Sequence, residues 1–219
     1  MRKSQSTKYH WANALHRSLL AALLSASAAV ASAQTFRIDT ISDAVFQRMQ
    51  GHSYPADCRV ARSELRYLTV SHVGRKGQMH TGELVCNKRI AADLIDIFRQ
   101  LYKAKYPIER MRLIDDYDAD DERSMQANNT SCFCYRAVSG SQKLSKHALG
   151  LAIDINPLYN PYLKGTKVQP ANARPYCNRA ATFPYKIVQG DLLHRLFLSH
   201  GFRWGGAWRS LKDYQHFEK

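Results

Sequence analysis

The chain has 219 residues, of which 45% are hydrophobic and 23% charged, and its 32 lysines and arginines outnumber 18 acidic residues. The resulting net charge of +14 favours anionic partners. The basic residues are scattered, without long runs or interleaved aromatic residues, so we expect no nucleic-acid binding. The segments after residue 33 are too polar for a membrane helix, which needs about 20 apolar residues.

The first 33 residues have the three regions of a secretory signal peptide. A basic start ends at Arg17, an uncharged apolar run covers residues 18–30, and residues 31–33 form a small-residue cleavage site. We expect cleavage before Gln34 and a periplasmic or secreted protein, with no other membrane association. An uncleaved N-terminal anchor is the alternative.

The cysteine count restricts the disulfide chemistry. There are five cysteines, and an exported protein can form disulfides, but an odd number leaves at least one thiol unpaired or paired between chains. No C-x-x-C pair occurs, so neither a thiolate zinc site nor a thioredoxin-type site is expected. The pairing stays open.

The remaining sequence predicts an α+β fold with a small, mainly antiparallel sheet and flanking helices. We divide it into an N-terminal leader without clear periodicity (34–64) and one domain (65–219). Helices are predicted over Lys88–Lys105, capped by Asn87, and from Asp191 to His200, with Gly201 at the C-terminal cap position. The predicted strands are Leu65–Val73, Glu83–Cys86, Ile108–Asp116, Ser131–Val138 and Gly150–Ile155, with a short terminal strand within Trp204–Lys219.

Three other segments are predicted as loops. Residues 115–130 are polar and acidic, and residues 139–146 connect two strands. Residues 156–184 are rich in proline and lack periodicity, which is typical of a long surface loop that shapes a cleft.

The strand predicted around residue 154 can carry metal ligands. The two-residue period sends Leu151, Ile153 and Ile155 to the core and places Asp154 on the opposite face. His147 lies just before Gly150, where the chain can bend, and His216 follows far downstream. Two imidazoles and one carboxylate leave a fourth position for water, which is the open coordination of catalytic zinc.

Two further residues could complete a hydrolytic site. Asp213, three residues before His216, could take the proton from the attacking water as general base. Arg136 could donate to the developing oxyanion. Each residue alone is more often structural, so the prediction depends on the whole set.

The residues that carry these roles follow one pattern, Ser-x-His-x-x-Gly-x-Ala-x-Asp and then Asp-x-x-His downstream. They are Ser145, His147, Gly150, Ala152, Asp154, Asp213 and His216. The pattern resembles the LAS group of zinc metallopeptidases, within it the D-alanyl-D-alanine carboxypeptidases and the phage L-alanyl-D-glutamate endopeptidases. The segment 121–136 is also similar to the one that precedes this pattern in bacterial relatives.

The resemblance implies a LAS or hedgehog-type fold with a zinc cleft. It implies that His147, Asp154 and His216 bind Zn²⁺, that Asp213 is the general base and that Arg136 is the oxyanion donor. Ser145 would support the site or touch substrate. Trp208 and Trp204 would wall the cleft or, equally, belong to the core.

We therefore expect a monomeric zinc peptidase that hydrolyses a peptide bond in peptidoglycan stem peptides. Two alternatives remain. One is a non-catalytic, zinc-bearing binding module, as in hedgehog signalling domains, and the other is a peptidase for free dipeptides.

Overall fold

The computed structural model of the chain describes residues 34–138 and 140–219, so the predicted signal peptide lies outside the described residues. The helices are α1 (Asp43–Met49), α2 (Lys88–Lys103), α3 (Asp121–Gln126) and α4 (Leu192–Ser199). The strands are β1 (Phe36–Thr40), β2 (Leu65–Val73), β3 (Met79–Asn87), β4 (Arg110–Met111), β5 (Asn129–Thr130), β6 (Ala152–Asp154), β7 (Tyr162–Lys164), β8 (Lys167–Gln169), β9 (Arg203–Trp204), β10 (Lys212–Asp213) and β11 (His216–Glu218). Within the described ranges, no helix is long and apolar enough to cross a membrane.

The largest sheet has the antiparallel order β1-β2-β3, and α2 packs on it. Strand β2 has the predicted bounds, and Leu68 and Val70 enter the core. Asn87 caps α2 as predicted, since its side chain accepts a hydrogen bond from Arg89 N at 3.0 Å. The predicted apolar face of α2, which includes Leu94 and Phe98, is buried against this core.

A smaller antiparallel sheet, β6-β11-β9, continues the same core. Leu151, Ile153 and Ile155 are buried in it, as the two-residue period predicted. Phe217 lies opposite Ile153 in register and stacks on Phe197 of α4 with ring centroids 4.3 Å apart. The predicted α+β class with small antiparallel sheets is confirmed.

Both predicted caps of α4 are present. The Asp191 carboxylate accepts a hydrogen bond from His194 N at 2.7 Å. Gly201 has φ +80°, and its N–H donates to Leu198 O while Phe202 N–H donates to Phe197 O. This pair of bonds is the Schellman motif, which needs a left-handed residue where glycine stands.

The predicted strand Ser131–Val138 is wrong. In this segment only Ser131 and Ala137 form β-bridges, and both are isolated. Between them, the backbone N–H groups donate to separate segments, such as Phe133 N to Val85 O and Tyr135 N to Ser53 O. Because the partners belong to different parts of the chain, no ladder forms.

The predicted loop 115–130 is also wrong, since it contains α3 and β5. Asp120 caps α3 by accepting from Arg123 N at 3.0 Å. Asp121 and Glu122 stand in the first turn, where negative charge favours the positive end of the helix dipole. Of the predicted strand Ile108–Asp116, only β4 is a strand, and Ile114–Tyr117 forms a 3-10 helix.

Two segments that lack a clear periodicity in the sequence nevertheless contain helices or strands. Residues 34–64 hold β1, which pairs with β2, and α1, capped by the Ser42 side chain. Residues 156–184 hold the hairpin β7-β8.

All five cysteines are free thiols, and Cys86, Cys132 and Cys134 are buried.

One buried histidine makes the fold sensitive to acid. His72 on β2 is 5% exposed, its Nδ1 lies 2.9 Å from Ile108 O, and its ring stacks on His80. Burial lowers the pKa of His72 to about 4, with the nearby His80 adding to the effect. An unfolded histidine titrates near 6.5, so between these values only the unfolded chain binds the proton.

We therefore expect protonation of His72 to lower the free energy of unfolding by roughly 3 kcal/mol as the pH drops from 6.5 to 4. Asp213, whose pKa is raised to about 7, acts in the opposite direction over the same range, so the test compares variants. Urea unfolding of the chelator-treated protein across this range should show a smaller acid-induced loss for His72→Gln than for the wild type, by roughly 3 kcal/mol. His52→Gln, at an exposed histidine, is the control and should decline like the wild type. Equal declines in all three proteins would contradict the assignment to His72.

Candidate metal centre

The first half of the site depends on a tight turn after residue 146. Residues His147–Leu149 form a 3-10 turn, and Gly150 then takes φ +65° before β6 begins. Gly150 also lies against β3, because a Cβ there would be 2.6 Å from Asn87 N. Asn87 N–H donates to Gly150 O at 2.9 Å. Glycine thus allows both the bend and the close approach that place His147 beside β6.

The second half of the site comes from β11. His216 lies directly opposite Asp154 in the antiparallel β6-β11 register. Their side chains share one face of the small sheet, since residues paired across strands point to the same side. The chain thus brings together residues that are 62 positions apart.

Three side chains converge at this point. His147 Nε2 lies 3.2 Å from His216 Nδ1 and 3.3 Å from an Asp154 carboxylate oxygen. His216 Nδ1 lies 3.1 Å from the other oxygen of Asp154. Ligand atoms bound tetrahedrally to one zinc ion at 2.0–2.2 Å would be about 3.3–3.6 Å apart. The three buried side chains could therefore hold a metal ion with shifts of a few tenths of an ångström.

The outer nitrogen of each imidazole also has a partner. His147 Nδ1 lies 2.6 Å from Cys132 O, and His216 Nε2 lies 3.3 Å from Glu218 Oε2. Both partners are acceptors, so each outer nitrogen carries the proton and donates it. In the neutral rings the inner nitrogens then keep their lone pairs, which is the protonation state that metal binding requires.

Neighbouring charges shift the pKa values of Asp154 and His216 in opposite directions. Although burial opposes its charge, Asp154 has its pKa held well below the usual range by the charge and hydrogen bond of His147 and by His216. Burial likewise opposes the charged form of His216, but Asp154 and Glu218 outweigh it and raise the pKa of His216 to about 10.

Asp213 has the opposite behaviour to Asp154. Burial and the charge of Asp154 raise the pKa of Asp213 to about 7, against the opposing charges of His216 and His147. Its Oδ1 is buried without a hydrogen-bond partner among the described residues. A carboxylate of this kind exchanges protons near neutral pH.

Arg136 lies on the extended segment before the 3-10 turn. Its guanidinium forms an ion pair with Asp121 at 2.8 Å. Its Nε is buried and has no hydrogen-bond partner in the described part of the chain. The orientation of the head group is thus fixed from one side by Asp121, while one donor is left over.

These residues line one cavity of about 520 Å³. Ser145, whose Oγ accepts from His147 N at 3.2 Å, and Trp208 also line it. Trp204 does not: its Nε1 donates to Tyr214 O, and its ring lies 6.3 Å from that of Phe217 in the core. Of the two tryptophans, only Trp208 stands where it can wall the cleft.

The structure thus gathers every predicted site residue in one place and adds several that the sequence pattern missed. The additions are Asp121, Gln215, Glu218 and the carbonyl group of Cys132. A His–Asp–His group that could hold a metal ion, beside a titratable carboxylate and an arginine in an open cavity, is the kind of arrangement found in metal-dependent hydrolases.

Comparison with known families agrees with this class. Residues 139–219 match the family model described as D-alanyl-D-alanine carboxypeptidase. This match over the C-terminal part of the chain confirms the predicted resemblance to LAS-type peptidases. The matched range includes His147, Asp154, Asp213 and His216, but begins after Arg136. No curated protein and no solved structure matches the chain.

The turn at Gly150 can be tested with a matched pair of glycines. Gly165→Ala meets nothing within 4 Å at φ +57°, so it should lose only about 1 kcal/mol for a left-handed alanine. Gly150→Ala should lose roughly 1–3 kcal/mol more, because the new Cβ must displace the β3 backbone. Denaturant unfolding measures both variants. Equal losses would show that φ alone, and not the contact with β3, makes glycine necessary.

Proposed function

We propose that the chain is an exported, zinc-dependent peptidase that hydrolyses a peptide bond in peptidoglycan stem peptides. The convergence of His147 Nε2, Asp154 and His216 Nδ1 within 3.1–3.3 Å of one another is the observation that carries the proposal. The match to a D-alanyl-D-alanine carboxypeptidase family supports the same reaction class.

The ligand set favours zinc. Two imidazole nitrogens and one carboxylate form a three-residue set that leaves a fourth position open, as in catalytic zinc sites. When bound, zinc would polarise the scissile carbonyl and lower the pKa of a water molecule to about 7. His147 and His216 are held for this role through their outer nitrogens, so little reorientation is required.

Asp213 is proposed as the general base. Its raised pKa of about 7 lets the carboxylate take a proton from the attacking water and return it to the leaving amine nitrogen. Its Oδ1 has no hydrogen-bond partner among the described residues and is therefore free to accept the proton.

Arg136 is proposed to bind the carbonyl oxygen of the scissile bond as negative charge develops there. Asp121 fixes the guanidinium by an ion pair, so the donor is oriented before substrate arrives. Such preorganised donors typically contribute 10²–10³ in turnover. Ser145 and Trp208, which line the cavity, would contact the peptide.

The remaining expectations complete the proposal. Residues 1–33 would direct export to the periplasm or beyond the cell, residues 34–64 would form a leader, and residues 65–219 would fold as a monomeric LAS-type catalytic domain. Without the four basic residues of the signal segment, 28 lysines and arginines against 18 acidic residues leave a net charge of +10, which suits a substrate polymer rich in carboxylates.

Digestion of purified peptidoglycan tests this function. The zinc-loaded protein should release a product that mass spectrometry identifies, and a chelator should abolish it. Loss of a terminal D-alanine would define a carboxypeptidase, and a cut between L-alanine and D-glutamate an endopeptidase. A protein that holds zinc but gives no chelator-sensitive product would instead be a binding module. Cleavage of free dipeptides without cleavage of the polymer would indicate a scavenging peptidase.

The role of Asp213 gives a separate prediction. Asp213→Asn should bind zinc normally but lose turnover by about 10²–10⁴, because an amide cannot accept the proton. Metal content and peptidoglycan hydrolysis would be measured on the same preparation. Asp43→Asn, at an exposed carboxylate on α1, should leave both unchanged. Retained turnover in Asp213→Asn would remove it as the base.

A further inference from the structure

We propose that Glu218 is a positioning residue that fixes the ring and tautomer of His216 for metal binding. The inference rests on the proposed function, because it gives His216 a metal to bind. Glu218 lies outside the Ser-x-His and Asp-x-x-His pattern and was not a predicted site residue.

The strand geometry places Glu218 beside His216. Both belong to β11, and residues two apart on a strand point to the same face. Phe217, between them, points into the core and is fully buried. The side chain of Glu218 therefore lies on the site face, with its Oε2 3.3 Å from His216 Nε2.

The two nitrogens of His216 face opposite groups. Nδ1 faces Asp154 and His147, and Nε2 faces Glu218. A carboxylate can only accept a hydrogen bond, so it selects the tautomer with hydrogen on Nε2. That tautomer leaves the Nδ1 lone pair directed at the other two ligands.

Glu218 is itself held in place. Arg203 lies opposite it in the β9-β11 register, and the guanidinium donates to Glu218 Oε1 at 2.8 Å. The two carboxylate oxygens thus have separate partners, one on Arg203 and one on His216. The three residues form a chain of hydrogen bonds from the exposed arginine to the buried imidazole.

The partner of the outer imidazole nitrogen can be removed by mutation for His216 but not for His147. His147 is oriented by the backbone carbonyl group of Cys132, which substitution of a side chain cannot remove. For His216, the same task falls to a side chain that can be replaced. Partners of this kind typically change metal affinity by 10–100-fold when they are lost.

Zinc affinity, measured by competition with a chromophoric chelator, tests the inference without reference to turnover. Glu218→Ala should bind zinc about 10–100-fold more weakly than the wild type. Glu218→Gln should lose less, because its amide oxygen can still accept from Nε2. Arg203→Ala removes only the outer ion pair and should lie near the wild type. Thermal unfolding in excess chelator would show that each variant is folded.

A second measurement reports the tautomer directly. In the zinc-loaded wild type, nitrogen NMR should show a protonated Nε2 on His216, and in Glu218→Ala that proton should exchange faster with water. Folded Glu218→Ala with the wild-type zinc affinity and an unchanged Nε2 signal would overturn the inference while the proposed function stood. A wild-type protein that binds no zinc would overturn both.

Discussion

The antiparallel pairing of β6 with β11 is the constraint on which the rest of the site depends. It sets His216 opposite Asp154 and, one position along, Phe217 opposite Ile153. Because side chains alternate between faces, a slip of one residue would send the histidine into the core and the phenylalanine into the cavity. Burial of Phe217 and Ile153 therefore holds the ligand register, and the hydrophobic core and the polar site stabilise the same alignment.

The cavity separates the roles of two buried carboxylates by their surroundings. Asp154 is kept charged by the imidazoles next to it, whereas burial and the charge of Asp154 raise the pKa of Asp213 to about 7. In enzymes, environments that separate the pKa values of two carboxyl groups in this way typically give one of them an acid or base role. Asp154 is suited to hold a cation, and Asp213 to exchange a proton.

Local patterns in the sequence were sufficient for elements with a strong period. Strand β2 has 9 residues and helix α2 has 16, so each repeats its apolar pattern several times. Asn87 and Asp191 have capping partners close by in the sequence. The motif around His147 and Asp154 was readable because spacing on one strand fixes which face each residue takes.

Other features depend on contacts between distant segments, which one-dimensional patterns do not contain. The segment 131–138 has a strand-like composition, but its backbone partners lie on separate parts of the chain. Helix α3 lies in an acidic stretch whose capping by Asp120 outweighs its weak periodicity. The ion pair of Asp121 with Arg136 joins two separate segments, and the contact of Glu218 with His216 can be inferred only once both are known to lie on strand β11.

Burial protects three of the cysteine thiols from oxidants. Burial raises the pKa of Cys134 to about 12 and moves the pKa values of Cys86 and Cys132 well above their usual range. Thiolate is the form that oxidants attack, so these three cysteines are chemically quiet while the core stays closed. Their modification by an oxidant would require transient opening of the core, and its rate would measure how often the native structure opens.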